Sequence, residues 1–298
     1  MFRIGLFCWG MLTGLGAVAQ VYDWAAIVGW DGVSHWSRYL IYAPGYLGPN
    51  ALPVPALPDG RTDTVSWIGT GLAGHTKPGD QTANLLTQFM YTPAPGRVAF
   101  ELYLVPHEVF RMTREEFARR HAHVSGLDDR AATGDLHINS YLQLLRGRRV
   151  LPDLQLRVSL RTASSNSRAA ARYTDAPGYY MDLNWGRDLS AAAARHRWRL
   201  YGTLGFYVWQ LNTGEQPQND AVLYGLGFSY THPRLQIGQD CTGYAGYLDN
   251  GDRPLVLRTR ISMPAGPVWL EGQFHQGLMD APYTSAQLMV KMILGKNK

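Results

Sequence analysis

The chain has 298 residues, 46% of them hydrophobic and 17% charged, with a formal net charge of +5. Charged residues make up about a quarter of an ordinary soluble domain, so this chain is poor in them. The basic residues are dispersed with no Lys/Arg block, which argues against a nucleic-acid footprint, and 17 Tyr, 9 Trp and 32 Gly suit strands and turns better than a helical bundle.

The N-terminus, MFRIGLFCWGMLTGLGAVAQ, sets one base, Arg3, before an apolar run that closes on Ala17-Val18-Ala19. That is the pattern of a secretory signal peptide over 1–19. As a membrane anchor the run falls short of the roughly 20 residues required, and Gly14 and Gly16 interrupt it. Cys8 follows Phe7 in mid-leader, where a lipid-modified cysteine would want a small neighbour. The mature chain keeps one cysteine, Cys241, so an internal disulfide is not expected. No later stretch reaches the 18 uncharged apolar residues of a membrane helix.

Residues 20–60 are dense in Trp, Tyr and Pro and show no sustained period. PNALPVPALP reads as an extended, turn-rich strap. From 61 to 298 the sequence breaks into twelve alternating runs, near 64–74, 82–92, 97–107, 135–146, 154–164, 179–187, 198–211, 221–231, 235–247, 254–263, 268–278 and 285–295. Most span about 10 to 13 residues, roughly twice a soluble strand and close to the length that crosses a bilayer at a tilt. The even-numbered links are mostly short (APG, THPR, AGP). Two odd-numbered links, near 108–134 and 165–178, are far longer. Within the first of these, Thr113-Arg114-Glu115-Glu116 is a capping box that predicts a short helix starting at Thr113.

Alternation sorts the side chains into two faces. The run at 221–231 sends Tyr224, Leu226, Phe228 and Tyr230 one way and Gly225, Gly227 and Ser229 the other. The run at 154–164 sets Leu154, Leu156, Val158 and Leu160 against Gln155, Arg157, Ser159 and Arg161. Period 2 alone fits a sandwich equally well. Strand length, the export signal and aromatics near strand ends (Trp67, Tyr91, Tyr179, Tyr180, Trp198, Tyr230, Tyr247, Trp269) favour a closed barrel with the apolar face in lipid and aromatic girdles at both interfaces. The expected fold is all-β, an antiparallel transmembrane β-barrel of about 12 strands with short periplasmic turns and long extracellular loops. The small inner residues leave room for neighbours or a pore, so Gly227→Ser is expected to be mild. Gln239 falls on the apolar face and predicts a bulge or a partly wet position.

In architecture, residues 61–298 resemble the Gram-negative outer-membrane β-barrel proteins, in particular the porin-like twelve-stranded barrels. The likeness departs at the C-terminus, MILGKNK, where many such barrels end on an aromatic residue. It implies residence in the cell outer membrane, contact with outer-membrane lipid, and transport of small solutes. By alternation the lumen holds the acids Glu101, Asp182, Asp240 and Glu271 and the bases Arg157, Arg161, Arg199, Arg258, Arg260 and Lys291. Such charges either line water or pair across it. An open lumen with a basic excess would favour anions through local field focusing.

Segment 20–60 is then expected to plug the barrel or seal its periplasmic mouth. The first functional expectation is a porin-like channel or transporter. The alternatives are a plugged barrel serving structure or assembly, and an outer-membrane lipid hydrolase with a serine among Ser164, Ser165 and Ser167. No enzymatic activity, metal or other cofactor is expected. His121 and His123 sit two apart and do not share a helix face. The acidic turns at Asp128-Asp129 and Asp249–Asp252 lack the spacing of a calcium loop. Oligomeric state is not legible.

Overall fold

A computed structural model describes residues 22–295 except 149, 192, 193, 212, 214 and 215, so the expected leader over 1–19 lies outside the described residues. Twelve long strands form the barrel sheet, to which the two-residue stretch Ala131–Ala132 adds a short pairing on β3: β1 Ser66–Lys77, β2 Asp80–Ala94, β3 Val98–Met112, β4 His137–Leu145, β5 Asp153–Arg161, β6 Gly178–Asp188, β7 Arg197–Gln210, β8 Gln218–His232, β9 Leu235–Gly246, β10 Leu255–Ala265, β11 Val268–Met279 and β12 Thr284–Leu294. Each pairs antiparallel with the next. β12 returns to β1 in an unbroken register from Ser66↔Leu294 to Thr76↔Thr284, so the sheet closes. Closure is what lipid demands, because an open edge would leave backbone N–H and C=O groups without partners. No described helix is long and apolar enough to cross a membrane.

The turns at 95–97, 146–152, 189–196, 233–234 and 266–267 share one rim. The opposite rim carries the longer loops, at 113–136 and 162–177. In the first of these, α2 (Arg114–Arg119) has Thr113 as its N-cap, accepting from the Glu116 amide at 3.3 Å. Only half of the capping box forms, because the Glu116 carboxylate turns to Lys77, Arg119 and Arg120 instead.

The outward side chains are exposed, with Leu226 at 60% and Leu288 at 73%, while inward neighbours are buried. Gly227 is small for a reason that the alternation did not reveal. A Cβ there would lie 2.6 Å from the Tyr201 ring and 2.9 Å from the Asp240 Cβ, so the inner face is filled by its neighbours and Gly227→Ser is not mild. No bulge forms at Gln239. The register through β9 is continuous, and Gln239 instead reaches Thr259 Oγ1 across the strand at 3.4 Å. The girdle holds for Tyr91, Tyr179, Trp198 and Tyr247, which are exposed. It fails for Trp67, Tyr180 and Trp269. Trp67 and Trp269 line the inside of the short-turn rim, and Tyr180 is buried under the Arg157 guanidinium.

Residues 22–65 do not close the short-turn mouth from below. They begin at the other rim. The Tyr22 hydroxyl donates to the Ala122 carbonyl at 2.5 Å, and the Trp24 indole donates to the His121 carbonyl at 3.0 Å. α1 (Trp24–Val28) and two short 3₁₀ turns pack there. Leu40, Tyr42, Leu47 and Leu52 join Phe117, Tyr173, Tyr207, Trp209 and Tyr244 in the main apolar cluster. The chain then descends through the lumen and enters β1 at the short-turn rim.

Candidate functional site

The descending segment contains Pro49, Pro53, Pro55 and Pro58. Proline has no N–H and holds the backbone extended, so this stretch is rich in carbonyl acceptors and poor in donors. The wall supplies the complement, since guanidinium carries five donors and no acceptor. Arg161 Nη1 donates to the Ala51 carbonyl at 2.8 Å and Tyr244 Oη to Leu52 at 2.9 Å. Arg258 takes the carbonyls of Val54 and, at 3.0 Å, Pro55. Arg157 Nη1 takes Ala56 at 2.8 Å, so β5 and β10 grip the segment at adjacent residues. Arg199 Nε and Nη2 share the Asp59 carbonyl at 2.9 and 2.8 Å, and Gln143 Nε2 takes Gly60 at 2.9 Å.

The same bases are also paired with acids. Arg157 forms a fork on Asp182, with Nε–Oδ1 3.0 Å and Nη2–Oδ2 2.5 Å. Arg161 meets Asp135 at 3.2 Å, and Arg199 meets Asp153 and Asp188, both at 2.9 Å. Asp240 stands 3.4 Å from Arg258 and 3.7 Å from Arg260. Lys291 meets Glu271 at 3.0 Å and lies over the Trp67 ring at 4.7 Å. Glu101 accepts from Asn139 and Tyr141 at 2.9 and 2.6 Å. All ten charged residues singled out from alternation therefore lie on the inner side of their strands. Facing rows of mutually repelling, unpaired arginines do not form.

Two cavities flank the segment, and Ala56 lines both. The larger, about 630 Å³, lies toward the short-turn rim among Trp67, Trp269, Tyr201, Arg260 and Lys291. The smaller, about 250 Å³, lies above it and is walled by Leu52–Ala56, His75, His137, His275 and Ser285. Here Ser285 Oγ lies 2.7 Å from His75 Nδ1, and His75 Nε2 lies 2.8 Å from Asn84 Oδ1. The amide oxygen can only accept, so Nε2 carries the proton and Nδ1 is free to accept from the serine hydroxyl.

Above both cavities lies a cluster of charges that the alternation did not find. Arg172 and Arg120 are fully buried. Arg172 holds Glu108 through Nε and Nη2 at 2.9 and 2.7 Å and Asp80 through Nη1 at 2.5 Å. Arg120 reaches Asp80 and Glu116, both at 2.6 Å, and Tyr283 Oη at 2.7 Å. Asn50 joins from the threaded segment, donating to Glu108 Oε2 at 2.8 Å. Burial alone would raise the Glu116 carboxyl, but Arg119, Arg120 and Lys77 beside it bring it down to about 2. Burial likewise opposes the charge on Arg172, yet Glu108, Tyr283 and Asp80 hold its guanidinium above the ordinary value. Asp80 keeps the parity of the inward positions on β2, but Glu108 does not share the parity of Glu101, because the register of β3 against β2 shifts near Leu85–Thr87 and reverses which residues face in. Arg120 and Arg172 sit on loops, where no period exists to read.

The serines of the hydrolase alternative lie elsewhere. The amides of Ser164 and Ser165 cap Asp135 at 3.0 and 2.9 Å, and the hydroxyls of Ser164 and Ser167 meet Thr162 Oγ1 and the Ala131 carbonyl. His121 Nδ1 faces the Tyr39 carbonyl at 3.1 Å, and His123 stacks on Trp36 at 5.1 Å. Among the described residues no group of three His, Cys, Asp or Glu could hold a metal ion.

No protein-family model and no curated protein sequence matches the chain. Solved structures do. An outer membrane channel from Pseudomonas putida F1 superposes with a TM-score of 0.52 at 15% identity, covering 82% of this chain and 97% of that one. The translocator domain of the autotransporter NalP from Neisseria meningitidis gives 0.47 at 9% identity, covering 79% and 90%. An anion-selective porin from Comamonas acidovorans gives 0.35 at 9% identity, covering 77% and 98%. The chain thus has the fold of the outer-membrane β-barrel proteins, and the cell outer membrane is the compartment consistent with it.

Proposed function

We propose that this protein is an outer-membrane channel for small polar solutes whose lumen is held shut in its resting state by residues 22–65. One observation carries the reading: wall arginines from β5, β7 and β10 donate to successive carbonyls of the segment between Ala51 and Asp59. A permanent core could seal the same space with apolar side chains. Leu40, Tyr42, Leu47 and Leu52 anchor the segment in the apolar cluster above, but from Val54 to Asp59 its backbone is held by hydrogen bonds between groups that water would serve equally well, and cavities of about 630 and 250 Å³ remain on either side. With the segment withdrawn, Arg157, Arg161 and Arg258 keep their carboxylate partners and gain free donors. The open wall then favours anions modestly, and most at low salt. Swelling of sugar-loaded liposomes tests this. Liposomes carrying a variant without residues 22–60 should swell in small sugars where the full chain does not. Equal swelling of the two would contradict the plug, and failure of both would favour a structural barrel.

A second reading rests on the Ser285–His75–Asn84 chain, which has the hydrogen-bond order of a nucleophile, a base and an orienting group. It faces the lumen, so an ester substrate would have to enter the barrel. Labelling of Ser285 by a fluorophosphonate, abolished by His75→Ala, would support hydrolysis. An unlabelled Ser285 in the variant without residues 22–60 would remove it.

A further inference from the structure

The two rims differ in their exposed charge. On the long-loop rim exposed acids (Asp31, Glu115, Asp128, Asp249) are interspersed with exposed arginines (Arg111, Arg130, Arg253). On the short-turn rim the exposed charge among the described residues is mostly arginine, with Asp63 the exposed acid: Arg97 and Arg146 flank the turns after β2 and β4, with Arg148 beside them. Arg187, Arg195 and Arg197 surround the turn after β6, and Arg234 sits in the turn after β8. The acids of this rim face inward. Asp153 and Asp188 are taken by Arg61 and Arg199, and Asp63 accepts from the Trp67 indole. The arginines therefore form an arc over four neighbouring turns. The fifth, Gly266-Pro267, carries no charge.

The arc is also apolar at its tips. Val150 is 74% exposed, Leu151 54% and Leu189 68%. Arg187 Nη1 donates to the Val150 carbonyl at 2.5 Å, which fixes a guanidinium beside these side chains. The outward Trp198, 47% exposed and packed on Tyr230 at 5.0 Å, marks the membrane interface on the same side. Apolar groups at headgroup depth beside guanidinium groups that have no carboxylate partner among the described residues match a phospholipid, with acyl chains against the former and a phosphodiester on the latter. An acidic protein docking from the aqueous side would have no use for Val150, Leu151 and Leu189.

We propose that this arc is a binding site for the anionic headgroups of phospholipids in the inner leaflet of the outer membrane. Arg146, Arg148 and Arg187 form its centre, and Val150, Leu151 and Leu189 seat the lipid. The proposal is independent of whether the lumen conducts. It is tested by native mass spectrometry of the full mature chain, delipidated and then exposed to an equimolar mixture of phosphatidylglycerol and phosphatidylcholine. Phosphatidylglycerol should be retained several-fold over phosphatidylcholine. The excess should vanish in an Arg146→Gln/Arg148→Gln/Arg187→Gln variant and survive in Arg111→Gln/Arg130→Gln/Arg253→Gln on the opposite rim. Heat-dependent gel mobility confirms that each variant is folded. Equal retention of the two lipids, or an excess that survives the first variant, overturns the proposal. So does binding of an acidic periplasmic protein to the arc without any lipid preference.

Discussion

Gly227→Ala and Gly238→Ala make the same chemical change on neighbouring strands, at two inward positions that differ in surroundings. A Cβ at Gly227 would meet Tyr201 Cε2 at 2.6 Å, Cζ at 2.8 Å and the Asp240 Cβ at 2.9 Å. None of these can yield easily. Tyr201 is 2% exposed and wedged between strands, and Asp240 is held by Arg258. Overpacking of this kind costs about 1–3 kcal/mol. At Gly238 the nearest atoms are Tyr201 Oη at 3.5 Å and the Ser229 Cβ at 4.0 Å, both ordinary contacts. Alanine there should be neutral, or stabilising by about 0.4–1 kcal/mol through the unfolded chain. Equilibrium folding into vesicles, titrated with urea and read by tryptophan fluorescence, measures both. Gly227→Ala should lower the midpoint, and Gly238→Ala should leave it in place or raise it. Stabilities within about 0.5 kcal/mol of each other, the usual scatter for surface changes, would refute the inner packing derived for β7, β8 and β9.

Further outcomes follow from the outer face and the outer rim. Leu226→Arg, in mid-strand and 60% exposed, should destabilise the barrel by about 2–4 kcal/mol in the same titration. Arg172→Met leaves the buried Glu108 without its cation, while Asp80 keeps Arg120, and should cost about 3–5 kcal/mol, read as a loss of midpoint. A cysteine at Ser125 and an epitope tag just ahead of Tyr22 should both be reached by impermeant reagents on intact cells, whereas Ala194→Cys should be protected. Glu116 has a folded pKa of about 2, below its unfolded value. Its contribution is therefore complete above about pH 4.5 and is lost as pH falls toward 2. Intrinsic-rate-corrected hydrogen exchange across 114–123 should accelerate over that window and stay flat in Glu116→Gln.

The strands were legible because a wall with lipid on one side must alternate, and period 2 holds through runs such as Leu154–Arg161, though β3 changes parity where its register against β2 shifts. The ten inner charges were legible for the same reason. Trp67 and Trp269 were misplaced by trusting their position near strand ends. Their parity was available: Trp67 alternates with Gly69 and Gly71, not with Ile68 and Leu72. The partners of the wall were not legible. Arg258 meets Val54 from 204 positions away and Arg61 meets Asp188 from 127, and no local pattern encodes such pairings. The direction of the threaded segment was equally hidden, since four prolines signal an extended chain but not which mouth it enters.

Single-channel recording in planar bilayers bears most directly on the central claim that residues 22–65 close a channel. The full chain should be silent. The variant lacking residues 22–60, shown to be folded by heat-dependent gel mobility, should give discrete steps. Its reversal potential should favour anions and shift toward cations in Arg258→Gln/Arg260→Gln. Steps of the same size from the full chain, or a folded deletion variant that never conducts, would contradict the account.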